Sequence, residues 1–384
     1  MVEVYLDNSA TTKPVKKVIE KMNQVLDFDY GNPSSLHKKG FEAEKILKNS
    51  RENVARIINS EPENIIFTSG GTESNNLALI GVAEALKKRG NHIISTKIEH
   101  PSVLNVLKHL EERGFEITYL DVDKTGRISL NDLINAVKDK TILLSIMAVN
   151  NEIGTIEPIE EIGNLSKGKD IIFHTDAIQA IGKVKINTKT QNIDLLSLSG
   201  HKIYGPKGIG ALYINKNIKI KPIIYGGGQE RDLRSGTENM PGIIGISTAC
   251  NIANEHFNEY TKKLMDLKIK LYNGIFDQIK DINLNGPEIN EGAPHILNIS
   301  FEGVKGEVLL HALEEEGIYV STGSACSSKK KGQSHVLSAI GLEKEFIDSA
   351  IRFSIGIFNT EEEINHTVEI LKEKVDFLRK FRRR

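Results

Sequence analysis

Lys202 lies in a glycine-rich segment between two apolar runs, and its amine is the first candidate for chemistry. The runs 195–198 and 211–214 are typical of strands, and the residues between them include Gly200, Gly205, Pro206, Gly208 and Gly210. Glycine lets the backbone turn sharply or approach a ligand closely. A lysine carried into the interior there would lose solvation, and a lowered pKa would free its amine as a nucleophile. The alternative is a surface hairpin with a solvated lysine, so other segments must decide.

Polar residues that could bind a ligand also follow other strand-like runs. The five groups are Gly70-Gly71-Thr72, His100, Asn150-Asn151, Asp176 with Gln179, and Ser199 through Lys202. The strand-like runs alternate with helical spacing, which predicts a mostly parallel, doubly wound α/β sheet with helices on both faces. Ligands bind beyond the carboxyl ends of the strands in such sheets. We therefore expect these five groups to lie at one edge.

The pattern changes after about residue 257, which predicts a second, smaller α+β domain. Strand-like runs in the first part are 64–68, 92–96, 141–149, 170–174 and 195–198, and those in the second are 296–301, 318–320 and 351–355. The last helix opens with a capping box, Thr360 to Glu363. We predict a large domain at 15–257 and a small domain formed by 1–14 and 258–384.

The strand-end residues favour pyridoxal phosphate as the ligand. Gly71 and Thr72 precede a helix whose free N–H groups suit an anion, although the same residues fit a tight turn. This segment lacks a Walker lysine and the spacing of a dinucleotide fingerprint, which disfavours ATP and NAD. A buried Asp176 would need a cationic partner, and a protonated pyridine nitrogen would supply one. Pyridoxal phosphate requires such an acid together with a lysine, here Lys202.

Cys326 is the second candidate for chemistry. The chain has two cysteines, too few for a disulfide framework, and no Cys/His cluster has zinc spacing. Cys250 lies among apolar helical residues and is expected to be a small core residue. Cys326 lies in a small, polar segment with Lys329 to Lys331 just downstream, and nearby cations favour a thiolate.

Composition excludes several classes of function. The 384 residues include 50 Lys plus Arg and 51 Asp plus Glu, so nothing indicates general binding to nucleic acid or to a membrane surface. The N-terminus has no basic stretch followed by an apolar one, and no run is long enough to span a bilayer. The sequence predicts a cytoplasmic protein.

The motifs together resemble the cysteine desulfurases of the iron–sulphur-cluster and nitrogen-fixation type, in the class V aminotransferase family with pyridoxal-phosphate fold type I. The matching motifs are TSGGTESNN at 68–76, EH at 99–100, VNNEIG at 149–154, DAIQ at 176–179, SGHKIYGPKGIG at 199–210, RSGT at 234–237, GSAC at 323–326 and IRFS at 351–354. They run in family order, so the resemblance covers essentially the whole chain.

The resemblance implies a role for each residue around the cofactor ring. Lys202 would form the Schiff base and later move the α-proton. Asp176 would pair with the pyridinium nitrogen, and Gln179 would hydrogen-bond the phenolic oxygen. His100 would stack on the ring and shuttle protons. All four are thus implied to contact pyridoxal 5'-phosphate.

The resemblance implies a second set of residues around the phosphate. Gly71, Thr72, Ser199 and His201 would hold it. Thr237 would come from the neighbouring subunit of a homodimer, so that each site would need two chains.

The resemblance also implies a substrate and a product. Asn151, beside the cofactor, and Arg352 would fix L-cysteine, Arg352 by gripping its carboxylate. Cys326 would attack the substrate sulphur, leaving L-alanine and a persulfide that a scaffold protein or other acceptor takes for iron–sulphur cluster assembly, tRNA thiolation or both. No intrinsic metal is implied, although Cys326 could transiently ligate a cluster with a scaffold. The Ser-Ala-Cys segment matches the subgroup that serves scaffold assembly.

Two other hypotheses compete with this one. The first is a pyridoxal-phosphate lyase or transaminase of the same fold without persulfide chemistry, such as a selenocysteine lyase; Cys326 and its surrounding segment disfavour it. The second is a non-catalytic binding module that keeps the fold, and it predicts a protein that does not take up the cofactor.

Overall fold

The computed structural model describes residues 3–323 and 333–381, so Cys326 lies outside the described residues. Within these ranges, seven strands form one sheet in the order β2-β8-β7-β6-β5-β3-β4. They are β2 (Ile65–Thr68), β3 (His92–Thr96), β4 (Glu116–Leu120), β5 (Thr141–Ser145), β6 (Ile172–Asp176), β7 (Leu195–Ser199) and β8 (Gly210–Ile214). Strand β8 is antiparallel to β7 and β2, and the other pairs are parallel. The predicted mostly parallel sheet is confirmed.

Helices cover both faces of this sheet, because consecutive strand residues point to opposite sides. Ile93 and Leu143 pack in one buried cluster with α3 (Gly71–Leu86) and α4 (Pro101–Glu112), whereas Ile94 and Leu144 pack in another with α2 (Lys38–Ile57) and α7 (Met240–Glu255). The helices up to residue 255 are α1 (Lys16–Asp27), α2 (Lys38–Ile57), α3 (Gly71–Leu86), α4 (Pro101–Glu112), α5 (Leu130–Ala136), α6 (Ile159–Gly168) and α7 (Met240–Glu255). No helix in the described ranges is both long and apolar enough to cross a membrane.

A separate hydrophobic cluster joins the start of the chain to residues after 263. Val4 and Leu6 pack there with residues such as Leu264, Phe353 and Leu371. Its strands are β1 (Val4–Tyr5), β9 (Ile282–Leu284), β10 (Ile296–Phe301), β11 (Ile318–Tyr319) and β12 (Ala350–Ser354), and its helices are α8 (Phe257–Gln278), α9 (Gly306–Glu314) and α12 (Glu361–Arg379). Two short helices, α10 (His335–Ala339) and α11 (Lys344–Asp348), pack instead in a smaller cluster with Ile98, Met147 and Ile153. The capping box at the start of α12 is confirmed. The domain limits 15–257 and 258–384 stay a prediction.

Several strand limits differ from the sequence-based ones. The run predicted at 170–174 forms a strand at Ile172–Asp176, because pairing with β7 continues to Asp176, opposite Ser197. Asp176 is therefore the last residue of β6 rather than a residue beyond it. The run predicted at 141–149 ends as a strand at Ser145.

Candidate active site

Ten of the predicted site residues line one cavity of about 210 Å³ at the carboxyl ends of the strands. They are Gly71, Thr72, His100, Asn151, Asp176, Gln179, Ser199, His201, Lys202 and Arg352. The sheet supplies nine of them from its strand ends and loops, and β12 of the other sheet supplies Arg352. The cavity thus lies where the two hydrophobic units meet.

The position of Lys202 follows from the turn after β7. A 3₁₀ helix, Gly200–Lys202, directly follows the strand and turns the lysine toward the cavity. Its Nζ donates to the carbonyl oxygens of Ser9 and of Ala10, the latter at 2.8 Å. A solvated hairpin lysine does not fit these contacts. The buried amine of Lys183 donates to the Lys202 carbonyl at 2.7 Å, and burial, with Lys202 nearby, lowers the pKa of Lys183 to about 7.

Asp176 places a carboxylate in the cavity wall. Its side chain is almost fully buried and accepts hydrogen bonds from Asn75 Nδ2 at 2.8 Å and from the Ile178 N–H at 3.0 Å. Asn75 also donates to Ser102 Oγ at 2.8 Å, which fixes the amide. Neutral donors leave acceptor capacity on the carboxylate, so a cationic ring nitrogen fits beside it.

His100 is the N-cap of α4, so its ring is held at the start of that helix. Its Nδ1 accepts from the Ser102 N–H at 3.1 Å, and Nε2 therefore carries the proton. Burial lowers the pKa of His100, nearby Lys202 and His335 lower it further, and Asp176 opposes them. The imidazole is therefore neutral at neutral pH.

The start of α3 provides a cradle for an anion. The first N–H groups of a helix have no intrahelical acceptor, and the helix dipole favours negative charge there. At Gly71 a Cβ would meet Ile178 Cδ1 at 2.0 Å, so a larger residue would require the Ile178 side chain to move, whereas glycine leaves the backbone open to a close approach. Across the cavity, burial and the nearby lysines, Lys202 first among them, lower the pKa of His201 to about 4. His201 thus contributes hydrogen-bonding groups rather than charge.

Arg352 is a buried guanidinium whose hydrogen-bonding capacity is only partly used. Its Nη2 contacts Asp7 Oδ1 at 2.8 Å, and its Nη1 donates to the Asn151 carbonyl at 3.0 Å. Its Nε has no partner among the described residues. Arg352 lines the cavity, and the two contacts use one N–H each of Nη1 and Nη2, so this planar guanidinium is suited to bind a carboxylate.

Thr237 is the predicted site residue in the described ranges that does not line this cavity. Thr237 is exposed, at the end of a loop whose Arg234 donates to Glu73 Oε1 at 2.7 Å. Cys326 belongs to 324–332, outside the described residues. Cys250, by contrast, is buried in the core as predicted, and burial raises the pKa of its thiol to about 12.

Sequence reasoning assigned no role to six other lining residues. They are Ser9, Ala10, Ser102, Met147, Val149 and Ile178. The polar stretch 7–14 was an available signal for Ser9 and Ala10, because such a stretch so close to the N-terminus serves either as a helix cap or as a loop at a site.

These residues fit pyridoxal phosphate in kind and in number. Lys202 offers an amine, Asp176 a carboxylate, and the start of α3 free N–H groups for an anion beside Gly71. The fold and the site define a pyridoxal-phosphate enzyme of fold type I.

The family follows from the comparison with known proteins. The profile of the family Aminotransferase class-V matches residues 4–366, and the chain belongs to this family. Because the family is pyridoxal-phosphate dependent, the predicted cofactor is confirmed, as is the predicted fold class.

Three similar proteins are informative. Cysteine desulfurase IscS of Clostridium botulinum is 50% identical over 370 residues, which are 96% of this chain and 93% of that protein. A solved structure described as a NifS-like protein is 40% identical with a TM-score of 0.92, covering 98% of this chain and all of the other. A structure described as SspA in complex with cysteine is 37% identical with a TM-score of 0.82, covering 93% of this chain and 100% of that one.

Proposed function

We propose that this chain is a pyridoxal-phosphate-dependent cysteine desulfurase, which converts L-cysteine to L-alanine and passes the sulphur on as a persulfide of Cys326. The observation that carries the proposal is the grouping of Lys202, Asp176 and Arg352 around one cavity. An amine, an acid and a guanidinium with a free donor are what a cofactor-bound amino-acid substrate requires.

Each residue of the cavity has a separate role in the proposed reaction. The cofactor supplies an electron sink for charge from the substrate Cα. Asp176 keeps a ring nitrogen protonated, and Arg352 and Asn151 orient the substrate through its carboxylate. Lys202 removes the proton from Cα, and the neutral His100 accepts or returns a proton. Positioned acid–base groups of this kind typically contribute ~10² to 10⁴-fold each.

Cys326 completes the proposal as the sulphur acceptor. Its thiolate attacks the substrate sulphur, so a sulphur–sulphur bond forms as the carbon–sulphur bond breaks, and the carbon gains a proton to leave as L-alanine. Described residues on both sides of 324–332 lie close to the cavity: Ser321 pairs with the backbone of Arg352, which lines the cavity, and His335 Nε2 lies 2.9 Å from the carbonyl of Glu99, which precedes the lining residue His100.

We further propose that the enzyme is a homodimer and that Thr237 completes the phosphate site of the partner. Thr237 is exposed and does not line the cavity of its own chain. Large apolar side chains are exposed in the same region, where Ser34 and Gly227 line a shared groove. These exposed side chains include Phe28, Tyr30, Leu36, Phe41 and Tyr225. A dimer interface would cover them.

The acceptor of the sulphur is a scaffold protein for iron–sulphur cluster assembly in this proposal. The curated relatives carry the name IscS and match this chain over almost its whole length, which supports the assignment. The predicted cytoplasmic location and the tRNA thiolation alternative stay predictions.

The test is mass spectrometry after treatment with L-cysteine. We expect one added sulphur on Cys326 in the wild type and in Cys250→Ala, and no persulfide or alanine production in Cys326→Ser. Undiminished alanine production by Cys326→Ser would contradict the persulfide role and favour the lyase alternative. A chain that cannot be reconstituted with the cofactor would favour the binding module.

A further inference from the structure

His295 is a buried side chain that contacts the cavity wall without lining the cavity. It directly precedes β10, it is 1% exposed, and its carbonyl accepts from the Ile355 N–H at 2.8 Å. Its Nε2 lies 3.1 Å from Oε1 of Gln179. The contact links the sheet that carries Arg352 to the wall formed by the larger sheet.

The orientation of the Gln179 carboxamide decides what this side chain offers to a ligand. Its Nε2 donates to the Ser9 carbonyl at 3.0 Å, and a carbonyl can only accept, so the amide nitrogen lies on that side. The amide oxygen therefore faces His295, and the imidazole must donate to it from Nε2. Among the described residues Ser9 is the acceptor of one amide N–H, which leaves the second N–H for the cavity that Gln179 lines.

The surroundings of His295 keep the imidazole neutral. Burial lowers its pKa well below the ordinary value, and four cationic side chains, from Lys183, Lys268, Arg352 and Lys202, lower it further. Nδ1 has no partner in the described part of the chain. A proton on Nδ1 would thus be buried without an acceptor, and the Nε2–H form is the one that this site stabilises.

We propose that His295 is a positioning residue that fixes the Gln179 carboxamide, so that an N–H and not a C=O is presented to the phenolic oxygen of the cofactor. The inference rests on the proposed function and on the role that the family resemblance implies for Gln179, a hydrogen bond to that oxygen. Without the His295 donor only the Ser9 carbonyl selects the orientation of the amide, so the preference for an N–H toward the cavity weakens. A C=O presented to a phenolate would repel it.

The predicted consequence is spectroscopic. A hydrogen bond to the phenolate stabilises the charged oxygen and thereby lowers the pKa of the cofactor bound to Lys202. Loss of that bond should move the pH midpoint of the visible absorption band upward by about one pH unit.

The experiment compares two side chains of equal length at position 295 in the cofactor-loaded protein. His295→Gln keeps an N–H donor and is expected to keep the wild-type midpoint, whereas His295→Met has no donor and is expected to shift it. His295→Asn is a second variant, for use if His295→Met does not fold. Its amide is too short to reach Gln179, so it is also expected to shift the midpoint. If the pH midpoint of the visible band were unchanged in both His295→Met and His295→Asn, the inference would be overturned.

A double-variant comparison separates positioning from a general structural effect. If His295 acts through Gln179, adding His295→Met to Gln179→Met should cause no further shift; an additive shift would overturn the inference. A wild-type protein that develops no borohydride-sensitive visible band would refute the proposed function itself, and with it the inference. A normal visible band whose pH midpoint does not change with substitution of His295 would refute the inference but not the proposed function.

Discussion

The cavity wall and the loop at 226–237 are both rich in polar side chains, but they are held in different ways. In the wall, each reactive group has a buried neighbour in the same chain: Asn75 supports Asp176, and His295 supports Gln179. The loop extends over the surface and ends with the exposed Thr237. Two ion pairs hold it, Arg51 with Glu230 and Arg234 with Glu73, each at 2.7 Å.

The loop stores strain that the wall does not have. Glu230, Arg231 and Asp232 are three consecutive non-glycine residues with positive φ angles of 46°, 59° and 62°. Each costs of order 1 kcal/mol in that conformation. Both carboxylate oxygens of Glu230 bind Arg51, and Oε2 also accepts from the Phe67 N–H at 2.8 Å. The ion pairs thus hold the loop in an unfavourable conformation, as expected if the partner subunit of the proposed dimer contacts it.

The largest effect on activity is expected at Lys202, the residue of the cavity wall that is proposed to bind the cofactor covalently. Lys202→Arg keeps the charge but removes the nucleophilic amine, so alanine production should fall by at least ~10³-fold and borohydride should no longer fix the cofactor to position 202. Lys207→Arg is the matched control, because Lys207 is exposed in the same segment. Comparable activity in both variants would show that the wall does not hold the reacting amine.

The next effect concerns the guanidinium that joins the wall to the smaller sheet. Arg352→Lys loses the planar fork, so the KM for L-cysteine should rise by roughly 100-fold, equivalent to about 3 kcal/mol of lost carboxylate binding. Steady-state kinetics with L-cysteine measure it. Asp7→Asn is a useful comparison: it removes the negative charge beside a buried cation but keeps an acceptor oxygen, and we expect a loss of about 2 kcal/mol in the free energy of unfolding. A KM unchanged in Arg352→Lys would contradict the assignment.

A smaller effect, on cofactor binding, is expected at Thr237 in the loop, and it should show whether the loop acts on its own cavity or on that of the partner subunit. Thr237→Val removes one hydroxyl from the proposed phosphate site and should weaken cofactor binding by about tenfold. The decisive measurement uses hybrid dimers in which one subunit carries Lys202→Ala and the other keeps the working lysine. If Thr237 acts on the partner, only Thr237→Val in the Lys202→Ala subunit should weaken the working site. Weakening by Thr237→Val in the lysine-bearing subunit would place Thr237 in its own site.

The same contrast explains what the sequence could predict. The wall residues follow buried apolar runs, so their meeting at one edge follows from the parallel sheet; Asp176, Gln179 and Lys202 were found this way. Thr237 has no such run beside it, and only the family resemblance suggested its role. His295 and Asn75 were missed as supports, because a buried hydrogen bond between residues more than a hundred positions apart leaves no local pattern.

Two edge strands were missed for a related reason. Strand β4 lies at the outer edge of the large sheet, and four of its five residues are only partly buried. Strand β9 is three partly buried residues at the edge of the smaller sheet. Strands β4 and β9 lack the continuous apolar run that identifies a buried strand, so their pairing is set by the neighbouring strand. The edge strand β2 is fully buried, and its run was predicted.

The wall and the loop should also differ in their response to acid. His92 and His174 are buried in the large sheet, and burial, with Lys138 adding at His92, lowers their pKa values to about 4 and about 3. At Glu73 burial favours the neutral form, but hydrogen bonds from Arg234 and Ser69 outweigh it and lower the pKa overall. The ion pair that anchors the loop should therefore survive at pH 5.

Because the folded-state pKa of each histidine lies below its unfolded value of about 6.5, the unfolded chain takes up protons first as the pH falls. The stability is therefore complete above pH ~6.5 and is lost progressively below it, by roughly 2 kcal/mol for His174 at pH 5 and by less for His92, where solvent around Lys138, Glu116 and Lys140 screens the added charge. Urea unfolding at pH 7 and pH 5 measures this loss. His174→Gln can keep hydrogen bonds to Ser145 and Ser197 without titrating, so its loss should be smaller by about 2 kcal/mol. An equal loss in the wild type and His174→Gln would mean that acid acts elsewhere than on the sheet beneath the wall.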